Sequence, residues 1–141
     1  KYAKFIVFLH LTMIQRIQSI FMILAVLAAV FLFITAQDVE VFGITSLVSI
    51  VCVVLVLVGA FSLFSFKNRK RQIMLNTFSL MINVLLIALL IFWLQNLSGG
   101  IDFPEKGIEP IFPSIAVLCL FIANIYIRRD EKLVKSVDRL R

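Results

Sequence analysis

A chain of 141 residues that is 62% hydrophobic, with a mean hydropathy of +1.07, carries more apolar surface than a small soluble domain can bury. The length fits about four membrane spans of roughly 20 residues with short connections, and excludes several domains. The net charge of +6 raises nucleic acid as a partner. The basic residues flank apolar runs, however, which makes them topology determinants and candidate contacts for anionic lipid headgroups, and excludes the nucleic-acid reading.

Residues 1–12 read as an N-terminal interfacial extension. The apolar stretch 5–9 is too short to span. It suits an amphipathic lead-in at the membrane surface, or an extension upstream of a protein that starts at Met13. No small-residue cleavage site follows it, so it does not read as a removable signal peptide.

Four spans are expected, at about 17–35, 44–66, 73–94 and 111–127, and none contains Asp, Glu, Lys or Arg. Each run is continuously apolar rather than alternating, which indicates helices and not barrel strands. Segments 37–42 and 67–72 are short connections. Segment 95–110 is longer and carries the turn formers Ser98, Gly99, Gly100, Pro104, Gly107 and Pro110. It has the most room for a surface feature. Pro113 suits the first turn of the fourth helix. Short connections make sequential helices antiparallel neighbours. The fold class is therefore an all-α membrane protein: a four-helix antiparallel bundle over residues 13–127, followed by a cytoplasmic basic amphipathic helix at 128–141. In that tail Leu133, Val134, Val137 and Leu140 share a face, and Glu131 precedes Lys135 by four residues, the favourable order for a helix ion pair.

Charge orients the bundle. Lys1, Lys4 and Arg16 precede the first span, Lys67, Arg69, Lys70 and Arg71 lie between the second and third, and six more basic residues follow the fourth. The opposite loops hold Lys106 with Asp38, Glu40, Asp102, Glu105 and Glu109. The positive-inside rule then places both termini in the cytoplasm.

Two segments carry a family resemblance. Residues 13–18 read MIQRIQ and residues 127–141 read IRRDEKLVKSVDRLR, with NRKRQI at 68–73. Together they resemble an uncharacterised Bacteroidota membrane-protein family, domain of unknown function 4293. The resemblance covers residues 13–141 and implies a four-span protein of the bacterial inner membrane. It implies no activity.

Chemistry is sparse. His10 is the single histidine and lies outside the spans, so no bundle of axial haem ligands exists. No Asp, Glu, Lys or Arg lies at membrane depth to serve the proton relay that proton-coupled transport requires. Cys52 and Cys119 form neither a CxxC nor a zinc spacing and read as buried structural thiols. There is no phosphate loop, nucleophile elbow or HExxH sequence. The expectation is no enzyme, no catalytic or metal-binding residue and no cofactor.

The remaining polar features are contacts. Asn76, Ser79 and Asn83 share one face of the third helix, and Asn124 lies near the cytoplasmic end of the fourth. Their amides in hydrocarbon call for interhelical hydrogen bonds of about 0.6–2 kcal/mol. Gly59, Ala60 and Ser62 form a small-residue patch for close helix approach. Trp93 and Tyr126 suit opposite membrane interfaces. Arg69, Arg71, Arg128 and Arg129 are the candidates for lipid or partner interaction. These features favour a non-catalytic accessory or structural subunit of a larger inner-membrane complex, respiratory, secretory or transport, with other membrane subunits as partners. The alternatives are a stand-alone lipid-interacting envelope protein, or a small oligomeric transporter or channel lined by the Asn76–Asn83 face.

Overall fold

The computed structural model describes residues 2–96 and 107–139. Helix α1 spans Tyr2–Thr35, α2 Leu47–Phe64, α3 Arg69–Gln95 and α4 Ile111–Asp138. All four are long and apolar enough to cross a membrane. At about 1.5 Å per residue, the 18 residues of α2 measure about 27 Å, close to the hydrocarbon thickness, and the 34 of α1 about 51 Å.

The observed elements shift several expected boundaries. α1 continues without a break through most of the stretch expected as a separate extension. α2 begins three residues later than expected, because 41–44 close a tight turn in which Val41 and Ile44 bridge and Phe42 and Gly43 take positive φ. α3 begins four residues earlier: Asn68 caps it, its side chain accepting from Arg71 N at 3.4 Å. α4 starts after Pro110, keeps Pro113 in its first turn, and runs eleven residues beyond the expected span as one helix.

The helices form a ring in which α1 neighbours α2 and α4, and α3 neighbours the same two. Phe21 stacks on Tyr126 and Phe31 on Phe112, so residue numbers rise along α1 as they fall along α4. Ser62, late in α2, meets Asn76, early in α3. α1 and α2 approach closely at Gly59, where a Cβ would stand 2.5 Å from Val26 Cγ2.

The interior is divided along its length. Toward the end that holds the α1–α2 connection it is wholly apolar, built from Leu32, Val48, Cys52, Leu55, Leu86 and Leu90. That connection belongs to the core: Ala36, Val39 and Val41 are buried in the same cluster, where the sequence reading expects a plain linker. Toward the other end, small residues of α1 and α4 pack together, including Ala25, Ala28, Ala116 and Cys119. There the inner face of α3 becomes polar.

Candidate functional site

Arg69, Gln72, Asn76, Ser79, Asn83, Leu86 and Leu90 alternate at spacings of three and four along α3. That 3.5-residue period keeps one stripe turned to the bundle axis. Every member is buried except Arg69, which is partly so. The stripe changes character once: it is polar from 69 to 83 and apolar at 86 and 90. The rise from Arg69 to Asn83 makes the polar part about 21 Å long at about 1.5 Å per residue.

The neighbouring helices answer it with polar groups. Ser62 Oγ of α2 donates to Asn76 Oδ1 at 2.6 Å and also approaches the Gln72 carbonyl at 3.5 Å. Gln72 Nε2 donates to Met22 Sδ of α1 at 3.2 Å. Asn83 Nδ2 donates to the Ser79 carbonyl at 2.8 Å, a bond inside α3 rather than between helices. Gln18 of α1 and Asn124 of α4 are buried as well. Among the described residues, Gln18 Oε1, Gln72 Oε1, Asn76 Nδ2 and Asn124 Oδ1 have no hydrogen-bond partner. A small cavity of about 10 Å³ opens beside Asn76, Ser79, Asn83 and Gly59.

The polar stripe ends on an ion pair. Arg69 Nη2 lies 3.0 Å from Asp130 Oδ2, with side-chain exposures of 24% and 1%. The pair joins the first turn of α3 to α4. It places 67–71 and 128–139 at one end of the molecule, together with Arg16 and Gln18 near Met22. Arg16, Lys67, Lys70, Arg71, Arg128 and Arg129 are exposed there. Farther along α4, Glu131 Oε1 meets Lys135 Nζ at 2.9 Å, the i,i+4 pair expected from the sequence.

The expected candidates therefore separate. Arg71, Arg128 and Arg129 face outward, whereas Arg69 turns inward to Asp130. Asn76 bonds across to α2, Asn83 bonds within its own helix, and Asn124 is buried with its Oδ1 unpartnered among the described residues. Cys52 and Cys119 are free and buried in different clusters. The side chains of Lys4 and His10, segment 97–106, and Lys1, Leu140 and Arg141 lie outside the described residues. Among those described, no three His, Cys, Asp or Glu side chains gather as metal ligands.

Gln18, Ser62, Gln72 and Asp130 are the members that sequence reasoning misses. Ser62 reads as a small residue for close packing, Gln72 as part of a connection and Asp130 as part of a charged tail. Extending the spacing of Asn76 backward by four and seven residues reaches Gln72 and Arg69. The same step along α4, from Ala123 through Ile127, reaches Asp130.

The family domain of unknown function, DUF4293, matches residues 35–140. The chain belongs to this family. The matched region contains α2, α3 and α4, the Arg69–Asp130 pair and nearly all of the basic tail; the MIQRIQ segment at 13–18 falls outside it. No curated protein and no solved structure matches the chain. Family membership assigns no chemistry to the polar stripe.

Proposed function

We propose that this DUF4293 protein is a non-catalytic accessory or structural subunit of a larger bacterial inner-membrane complex, whether respiratory, secretory or transport, with both termini in the cytoplasm. The observation that carries the reading is the segregation of polar groups. The amides of Gln18, Asn76, Asn83 and Asn124 within the expected spans are buried in the bundle, where Asn76 accepts a hydrogen bond from Ser62 of α2. The exposed side chains along the same helices are largely apolar, such as Leu57, Phe61, Met81, Leu85 and Leu118. Among the described residues, the exposed basic side chains Lys67, Lys70, Arg71, Arg128 and Arg129 gather at one end, while Asp38 and Glu40 are exposed at the other. A scaffold of this kind offers partners an apolar flank within the membrane and a basic face outside it, and needs no reacting group.

The basic face also supports a second reading, a stand-alone lipid-interacting protein, since each basic residue near an anionic headgroup contributes about 1 kcal/mol. A transporter or channel is disfavoured, because the polar stripe stops at Leu86 and Leu90, both 0% exposed. Gentle detergent extraction of the tagged native protein, followed by native sizing and mass spectrometry, tests the proposal. A stoichiometric set of companions is expected. A lone species of monomer or small homo-oligomer size would overturn the subunit reading and favour the lipid one.

A further inference from the structure

Asn76 is 1% exposed, and its Oδ1 is taken by Ser62 Oγ. Its Nδ2 has no partner among the described residues. An amide N–H at membrane depth has no bulk water to turn to, so its partner must come from within the bundle. The cavity of about 10 Å³ stands beside this amide, with Ser79 and Asn83 supplying its other polar side chains. That is room for about one water molecule, and water occupies such spaces where two or more polar groups line them.

The chemistry of the unpartnered atom narrows the occupant. Nδ2 is a donor, so it calls for an acceptor and disfavours a cation. A single-atom acceptor that can also donate onward matches a wall carrying Ser79 and Asn83. The remaining lining is apolar, with Met22, Ala29 and Leu55 among its residues, which disfavours a buried anion. Leu86 and Leu90 close the interior beyond Asn83. We infer that this cavity is a specific site for one ordered water molecule, which accepts a hydrogen bond from Asn76 Nδ2 and extends the Ser62–Asn76 contact toward Ser79 and Asn83. The site sets the polar part of the stripe apart from the dry part, and makes the water a fixed component of the α1–α2–α3 packing.

Water-edited solid-state NMR of the full chain in lipid bilayers, with ¹⁵N-labelled asparagine and leucine, tests this directly. The exposed amides of Asn68 and Asn96 serve as positive references, and the backbone amides of Leu86 and Leu90 as dry references. The expected result is rapid transfer of water magnetisation to the Asn76 side-chain amide while Leu86 and Leu90 stay silent. Asn76→Leu removes the signal and identifies it; if that variant does not fold, sequential backbone assignment identifies the peak in the unaltered protein. An Asn76 amide as silent as Leu86 and Leu90, beside responsive Asn68 and Asn96, overturns the inference. Transfer to Leu86 and Leu90 as well also overturns it, because the interior would then be generally wet.

Discussion

The Arg69–Asp130 pair makes a directional prediction. The two partners are unequally placed: Arg69 keeps about a quarter of its side chain in contact with solvent, and Asp130 keeps almost none. When Asp130 is replaced by Asn, the guanidinium can turn outward and rehydrate, so most of the cost is one charge-assisted hydrogen bond, about 1.5–3 kcal/mol at most. When Arg69 is replaced by Met, a carboxylate held inside the bundle loses the guanidinium 3.0 Å away. Breaking a buried pair from that side costs about 3–5 kcal/mol, a hundredfold or more in the unfolding equilibrium at about 1.4 kcal/mol per decade. Replacing both, as Arg69→Met with Asp130→Leu, removes the buried carboxylate itself and is expected to recover much of the loss, since buried pairs often exchange for apolar contacts at little cost. Unfolding by increasing mole fraction of sodium dodecyl sulfate in mixed micelles measures all three variants. The single tryptophan, Trp93, packs against the apolar core cluster far from the substitutions and reports by fluorescence. Equal costs for the two single variants, or a double variant less stable than Arg69→Met alone, would refute the reasoning.

The other predictions concern packing and exposure. A double-mutant cycle of Ser62→Ala and Asn76→Leu should give a coupling of about 0.6–1.7 kcal/mol, the range of interhelical hydrogen bonds in membranes, in the same unfolding assay; a coupling near zero would show that the 2.6 Å contact does not hold α2 to α3. Gly59→Leu should destabilise by about 1–3 kcal/mol or more, because its side chain enters the space of Val26, a branched residue with little rotamer freedom. Arg71→Ala, Arg128→Ala and Arg129→Ala should each leave stability within about 0.5 kcal/mol, as exposed positions do, while weakening recovery of companions. Cys52 and Cys119 should label fully with a thiol reagent in dodecyl sulfate without prior reduction, since both are free; labelling that needs a reductant would contradict that.

Much of the fold is legible in the sequence because lipid imposes a simple rule. Long apolar runs must be helices whose backbone bonds close internally, and hydropathy finds them without any tertiary information. The ends are less legible. Arg69 and Gln72 lie in a charged stretch that hydropathy assigns to a connection, yet Asn68 starts the helix before them. The α1–α2 connection looks polar and short, but Val39 and Val41 bury themselves in the apolar cluster. The face shared by Asn76, Ser79 and Asn83 is readable from spacing alone; the partners along the stripe are not, because Ser62 for Asn76, Met22 for Gln72 and Asp130 for Arg69 come from three other helices. Asp130, one of three acidic residues in a basic tail, gives no sign of burial until the helix phase is carried past the span. Function is the least legible part, because nothing in the polar stripe needs to react in order to hold the bundle together.

The account depends most on which side of the membrane carries the basic end. In a variant lacking Cys52 and Cys119, single cysteines at Lys70→Cys and Asp38→Cys place one thiol at each end, both at exposed positions. Cells with a permeabilised outer membrane and an intact inner one are then treated with a membrane-impermeant maleimide. The account predicts that the Asp38→Cys protein labels, and that the Lys70→Cys protein labels only after the inner membrane is opened. Labelling of Lys70→Cys with protection of Asp38→Cys would contradict the orientation, and with it the proposal that the basic end meets cytoplasmic partners.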